Sequence, residues 1–255
     1  MTAQAFSLRE NVLASGTPED FLPFFDGKKH VISLVGGGGK TTTLYYLAAC
    51  FARRGQRTCV LTTTRMGCPA HPCTDISQCR AQWAQGMYAV CGQIADGGKF
   101  RAPDSNTLRA LLNEADILLI EADGARRLPC KAPAEHEPVL LPETDTVVGV
   151  MGLDAVGGRV RDVCLRTDKV CALLQCGEDH TLTPEDMARI LLSPDGTRKG
   201  VEERSFVVIL NKCDDDARKQ HGESILRILS AQGQHHALLT CHRDNRSEQY
   251  EYPKG

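Results

Sequence analysis

Residues 31–43 read V-I-S-L-V-G-G-G-G-K-T-T-T, and this stretch decides the fold. Val31, Ile32, Leu34 and Val35 form an apolar run suited to a buried strand. Gly36, Gly37, Gly38 and Gly39 follow, then Lys40, Thr41 and Thr42. Glycines let a backbone curl so that its N–H groups meet a phosphate chain. A lysine next in line reaches the β/γ-phosphates, and the following hydroxyl, here Thr41, holds Mg²⁺. The full pattern G-x-x-x-x-G-K-[ST] needs glycine at position 34, where this chain has Leu34. The loop is thus a short variant. Downstream, Leu44, Leu47, Ala48 and Phe51 repeat at helical spacing, and Gly55 supplies the stop. Strand, glycine loop, Lys-Thr and helix in that order predict a nucleotide-phosphate site at a helix N-terminus.

Outward from this loop, apolar strands alternate with helices. Strands are expected over 30–35, 58–63, 87–91, 116–120, 147–151, 206–210 and 237–240. Helices are expected over 40–54, 104–114, 183–192 and a segment ending at Gly233, with one or two short helices over 7–25. Asp104 and the Thr183-Pro184 pair are cap signals. Strands apolar throughout predict an α/β fold: a mainly parallel, doubly wound sheet of the P-loop NTPase type covered on both faces. One domain is expected over 1–255, with a small helical subregion over 155–200 and a polar tail over 242–255. Ligands in such folds bind beyond the carboxyl ends of the strands.

Composition is that of an ordinary soluble chain: 42% hydrophobic, 24% charged, net charge −2. No charge excess points to nucleic acid or to an anionic membrane. No apolar run approaches the roughly 18 residues of a membrane span, and the N-terminus M-T-A-Q-A-F-S-L-R-E lacks a leader's apolar core. A cytoplasmic location is expected, with most of the twelve cysteines as reduced thiols.

Four further motifs follow predicted strands. Residues 117–124, I-L-L-I-E-A-D-G, end a buried strand in acids. Glu121 and Asp123 alternate there, so one can organise Mg²⁺ while the other orients a nucleophile. Residues 206–214, F-V-V-I-L-N-K-C-D, carry Asn211, Lys212 and Asp214 in the order of a guanine-reading motif. A carboxylate at Asp214 can accept two hydrogen bonds from guanine, a pattern adenine lacks; the alternative is a strand-end turn, so GTP and ATP both stay open. The loop 125–138, A-R-R-L-P-C-K-A-P-A-E-H-E-P, gathers Arg126, Arg127, Lys131, Glu135, His136 and Glu137 after the acidic strand. Cations there suit a leaving phosphate, and His136 suits acid–base work or metal ligation. Residues 62–73, T-T-T-R-M-G-C-P-A-H-P-C, bring Cys68, His71 and Cys73 together in sequence, with Cys79 further on. They form a candidate soft-metal cluster whose spacing fits no established zinc pattern.

With these stretches in hand, the chain resembles the YqeC-like proteins, accessory proteins of selenium-dependent molybdenum hydroxylases. The resemblance covers about 8–240 and rests on V-G-G-G-G-K-T-T at 35–42, L-T-T-T-R at 61–65 and E-A-D-G at 121–124. It rests also on K-A-P-A-E-H-E-P at 131–138, G-L-D-A-V-G at 152–157 and L-N-K-C-D at 210–214. Two positions depart from the family pattern. Gly37-Gly38 stands where Ala-Gly is familiar, and Leu165 precedes Arg166 where a histidine is expected. The resemblance implies a maturation factor that helps deliver selenium to the molybdenum cofactor of a hydroxylase. Its partners would be a purine nucleotide and that hydroxylase or its cofactor. Two versions stay open. One is an enzyme that cleaves or transfers the nucleotide phosphoryl group, using Lys40, Glu121, Asp123, Arg126 and His136. The other is a nucleotide-gated chaperone that docks on the apo-hydroxylase without a small-molecule product.

Overall fold

The computed structural model describes residues 2–243. The polar tail expected over 242–255 lies outside the described residues from 244 onward; His242 and Arg243 end the last strand. In chain order the elements begin with β1 (Thr2–Arg9), β2 (Val12–Gly16), α1 (Pro18–Phe21), β3 (His30–Gly36), α2 (Lys40–Arg53) and β4 (Thr58–Thr62). Next come β5 (Arg65–Gly67), α3 (Ile76–Ala84), β6 (Ala89–Val90), β7 (Gln93–Ala95), β8 (Lys99–Arg101), α4 (Ser105–Glu114) and β9 (Ile117–Glu121). Then follow β10 (Cys130–Lys131), β11 (Thr146–Gly152), α5 (Val160–Val163), β12 (Cys164–Leu165) and α6 (Thr167–Leu174). The last are α7 (Pro184–Leu192), β13 (Ser205–Asn211), α8 (Asp216–Ala231) and β14 (Ala237–Arg243). Among the described residues no helix is long and apolar enough to cross a membrane.

The main sheet has nine strands in the order β2-β1-β14-β13-β11-β3-β9-β4-β6. From β14 to β6 every neighbouring pair is parallel. The expected mainly parallel α/β sheet is therefore present. Alternation along each strand sends side chains to opposite faces. Ile32, Leu34, Val60, Leu119, Val148 and Ile209 pack with Leu44, Leu47 and Phe51 of α2. On the other face, Val147, Met151, Val208 and Leu210 pack with Met187, Ile190, Ile225 and Leu229 of α7 and α8. Further along that face, Val31, Leu61, Leu118 and Ile120 meet Cys79 of α3 and Leu111 of α4. Strands buried on both sides are continuous apolar runs for this reason. The stretch 155–200 carries α5, α6 and α7, and its Leu182, Met187 and Leu191 share a cluster with the strands.

Helix ends follow local chemistry. The Asp104 carboxylate accepts from the N–H groups of Asn106 and Thr107 to start α4. Thr183 and Asp186 cap α7 reciprocally, with Pro184 first in the helix.

Two expectations hold only in part. Residues 7–25 carry one short helix, the four residues of α1. The rest of that stretch holds most of a β-hairpin, in which β1 pairs antiparallel with both β2 and β14. Glu10 and Asn11 turn the chain with φ of 51° and 64°, the left-handed conformation a two-residue hairpin loop demands. The strand expected over 87–91 shrinks to Ala89–Val90, and Cys91 continues only as an isolated bridge to Cys73. A hairpin of β7 and β8, turning at Gly97 and Gly98 with φ of 69° and 66°, adds a three-stranded sheet with β5.

Candidate nucleotide and acid–base site

The glycine loop joins β3 to α2 at the centre of the sheet. The chain leaves β3 toward β4 on one side and later returns to β11 on the other, so the loop sits where the strand order reverses. Gly36, Gly38 and Gly39 have φ of 96°, 71° and 114°, which only glycine adopts without strain. A Cβ at Gly36 would run into the Val150 carbonyl, and one at Gly38 into the Gly152 backbone. The loop is thus pressed against the end of β11. Gly36 N–H donates to Asp123 Oδ2 at 3.0 Å. Gly37 N–H donates to the Val150 carbonyl at 2.8 Å and Gly38 N–H to the Leu128 carbonyl at 3.1 Å. These three donors are engaged by the protein itself, which differs from the expected cradle of free glycine N–H groups. The remaining donors at the loop are the N–H groups in the first turn of α2, which begins behind Gly39 with no side-chain cap.

Lys40 lies 4% exposed at that helix start. Its Nζ donates to the Gly36 carbonyl at 2.6 Å and stands 3.1 Å from Asp123 Oδ1. Asp123 is 2% exposed and also receives Lys131 Nζ on Oδ2 at 2.8 Å. Lys131 in turn meets Glu137 Oε2 at 2.7 Å and the Gly124 carbonyl at 2.8 Å. Arg166 Nη2 reaches the same Glu137 oxygen at 3.0 Å. Burial opposes ionisation of Glu137, yet its bond to Lys131 and the charges of Lys131 and Arg166 hold its carboxyl below the ordinary glutamate value.

Glu121 ends β9 beside this network. Its Oε2 accepts from Thr41 Oγ1 at 2.7 Å. Burial pushes its carboxyl above the usual value, against the favourable charge of Lys40 and the Thr41 bond. Thr62 Oγ1 donates to the Glu121 carbonyl at 2.8 Å, so the threonines after β4 brace this strand end. The structure therefore brings Lys40, Thr41, Glu121 and Asp123 together at one edge. Thr41 Oγ1 and Glu121 Oε2 are hard oxygen donors, and among the described residues no Lys or Arg forms an ion pair with Glu121. That donor set fits Mg²⁺, which takes one or two carboxylates and completes its shell with phosphate and water.

The second motif divides in two. Asn211 is 4% exposed; its Nδ2 donates to the Gly38 carbonyl at 2.9 Å and its Oδ1 accepts from Thr240 Oγ1 at 3.0 Å. Its side chain thus braces the glycine loop. Lys212 has φ of 63° and its Nζ meets Asp154 Oδ2 at 2.6 Å. Asp214 lies further out, bonded by Arg218 at 3.0 Å and by the Cys241 thiol at 3.4 Å.

Arg126 and Arg127 are exposed on a turn with φ of 47° and 65°. That turn leads straight to Leu128, whose carbonyl holds Gly38. His136 is exposed, whereas its neighbour Glu137 is buried. The soft-metal grouping of Cys68, His71 and Cys73 does not assemble. Cys68 packs toward the α2 face and Cys73 toward the α3–α4 face, while His71 is exposed. Among the described residues no group of three or more His, Cys, Asp or Glu is arranged to hold a metal ion. None of the twelve cysteines forms a disulfide.

Sequence reasoning gave no role to Asp154, Arg166 or Thr240, and it counted Lys131 and Glu137 only among the ionisable groups of the loop. The clue for Lys131 and Glu137 was their place on either side of A-P-A-E-H in a loop following the acidic strand. Nothing in the local sequence links Arg166 to them.

Two comparisons with known proteins bear on the family of this chain. The family model described as YqeC protein matches residues 32–168, more than half of the 255-residue chain. That span runs from β3 through the glycine loop, the acidic strand end and the Lys131–Glu137 pair to Arg166. A protein of Escherichia coli (strain K12) described as "Uncharacterized protein YqeC" is 32% identical over 199 residues. The match covers 72% of this chain and 78% of that protein. On these matches the chain belongs to the YqeC family.

Proposed function

We propose that the protein is a nucleotide-dependent maturation factor of the P-loop NTPase type. In this reading it binds a purine nucleotide with Mg²⁺ at residues 36–42 and cleaves or transfers its terminal phosphoryl group. The observation that carries the reading is Lys40. It is a lysine buried at the N-terminus of α2, on a glycine loop at the carboxyl edge of a parallel sheet, with Asp123 as its counter-ion. A cation kept at that depth beside an uncapped helix start is suited to polyphosphate.

Each residue then has a task. Lys40 and the first-turn N–H groups of α2 bind the β/γ-phosphates. Thr41 and Glu121 would hold Mg²⁺, which when bound supplies charge neutralisation on the phosphate oxygens. Asp123 positions Lys40 and, through the Gly36 N–H, the loop. Arg126 and Arg127 are free on the rim to meet charge that develops on a leaving phosphate. His136 is available from solvent to a second substrate or partner as an acid–base group. Asn211 supports the loop, Lys212 is held by Asp154, and Asp214 is the reader proposed for guanine, which makes GTP the first nucleotide to test and ATP the second.

The cellular role rests on the family resemblance. In this reading the phosphoryl chemistry supports selenium insertion at the molybdenum cofactor of a selenium-dependent hydroxylase. Deleting the gene should leave that hydroxylase folded but without its labile selenium, and Lys40→Ala should reproduce the defect. Elemental mass spectrometry of the purified hydroxylase is the test; normal selenium and activity in the deletion strain would refute the pathway. The nucleotide-gated chaperone differs in turnover. An enzyme yields a chemical product in step with each nucleotide consumed, whereas a chaperone shows slow hydrolysis stimulated by its partner.

A further inference from the structure

The segment G-L-D-A-V-G at 152–157 leaves β11 beside the glycine loop, and phosphate binding gives it no task. β11 borders β3 on one side, and β9, which ends in Glu121, borders it on the other. Gly152 lies against the loop, since a Cβ on Gly38 would run into its backbone. A Cβ on Gly152 would in turn run into Asp154 Oδ1. The Asp154 carboxylate is therefore folded against the strand end that supports Gly38.

Lys212 reaches this carboxylate from the neighbouring strand. Asn211 is the registered partner of Gly152 at the ends of β13 and β11, and Lys212 follows it with φ of 63°. Its Nζ meets Asp154 Oδ2 at 2.6 Å, and the two side chains are 34% and 26% exposed. An ammonium has three N–H donors. Among the described residues Asp154 is the one acceptor that takes a hydrogen bond from Lys212 Nζ, so two donors are left over. A partly exposed ion pair adds little to stability. This one also leaves Asp154 Oδ1 buried without a hydrogen-bond partner, which subtracts from it. What the pair does achieve is to fix a long, mobile side chain at the mouth of the loop.

The reading above places the terminal phosphates on the β9 side, with Thr41 and Glu121. A nucleotide held that way extends its nucleoside to the opposite side, over the ends of β11 and β13. We propose that the nucleoside lies there against Lys212, and that Asp154 is a positioning residue that holds this lysine in place. The inference rests on the nucleotide-loop reading. The four-carbon stem of Lys212 gives a base face apolar cover, and its charge is attracted to the ring. Such a contact reads a ring face and not its edge. It serves guanine and adenine alike and leaves discrimination to Asp214. Without Asp154 the side chain regains its rotamers, and binding must freeze them again.

Titration calorimetry with Mg²⁺-GTP, Mg²⁺-ATP and Mg²⁺-tripolyphosphate is the test, because the last carries phosphates without a nucleoside. Asp154→Ala should weaken both nucleotides to a similar extent, roughly twofold to tenfold, and should not weaken tripolyphosphate. Lys212→Ala should cost the nucleotides more than it costs tripolyphosphate. In the Lys212→Ala background, Asp154→Ala should bring no further loss, because no lysine is left to position. If Asp154→Ala fails to fold, Lys212→Ala, at a partly exposed side chain, carries the same comparison. Full nucleotide affinity in Asp154→Ala, or equal losses for nucleotides and tripolyphosphate, would overturn the inference; the second result would mean that Asp154 acts through the loop. Either result with Lys40→Ala still damaging would leave the nucleotide reading standing. Binding indifferent to Lys40→Ala, or no binding of either nucleotide, would remove both.

Discussion

Asn211→Ala tests whether the end of β13, within the second motif, is built to hold the glycine loop. The side chain is buried and makes two hydrogen bonds, to the Gly38 carbonyl and with the Thr240 hydroxyl. Truncation leaves both groups without these partners at buried positions. Each lost bond is worth about 1 kcal/mol net, and a buried orphan raises the cost, so the expected loss is about 2–4 kcal/mol. For a domain of this size, that lowers the midpoint of thermal unfolding by about 4–16 °C. Thr240→Val removes one of the two bonds and should cost less, about 1–2 kcal/mol. The two substitutions should be less than additive, because they share a contact. Urea unfolding followed by circular dichroism gives both values. The loop should also lose nucleotide affinity in Asn211→Ala, since Gly38 is no longer pinned. An Asn211→Ala variant within about 0.5 kcal/mol of the unmodified protein, the range of an ordinary surface change, would refute the bracing role.

Glu121→Gln keeps the shape and the Thr41 contact but removes the charge. It should lower phosphoryl-transfer or hydrolysis rate by about tenfold or more while changing nucleotide affinity far less, measured by steady-state kinetics beside calorimetry. Asp214→Asn should weaken GTP and narrow any preference over ATP, because an amide donates as well as accepts; equal affinities for the two nucleotides in the unmodified protein would remove Asp214 as a base reader. His242 has both ring nitrogens buried without hydrogen-bond partners and sits 5.2 Å from the Tyr46 ring. Burial lowers its pKa to about 4, against the pull of the Asp214 charge. The unfolded chain therefore binds the extra proton first. Stability falls as pH drops from about 6.5 to 4, by on the order of 3 kcal/mol. His242→Phe should flatten that part of the stability–pH curve, and an unchanged slope would count against the assignment.

The parallel sheet was legible because its strands are buried on both faces. Runs such as I-L-L-I at 117–120 and V-V-I-L at 207–210 have no polar face to confuse with a helix stripe. The caps at Asp104 and Thr183 were legible because their chemistry is local. The N-terminal hairpin was not. It lies at the sheet edge, its strands mix small and polar residues, and its turn uses Glu10 and Asn11 without a glycine. At the site, Lys40, Thr41, Glu121 and Asp123 could be assembled because each directly follows a recognisable strand. The Lys131–Glu137–Arg166 chain could not, since it closes over a loop and depends on the β10–β12 pairing. E-H-E at 135–137 drew attention to His136, while the fold buries Glu137.

The central claim is that the glycine loop and Lys40 bind the phosphates of a purine nucleotide. Calorimetric titration of the purified protein with GTP and ATP in the presence of Mg²⁺ tests it most directly. The unmodified protein should bind at least one of them, and Lys40→Ala should lose about 1.5–3 kcal/mol, roughly tenfold to a hundredfold in affinity. Absence of binding in the unmodified protein, or affinity indifferent to Lys40→Ala, would contradict it.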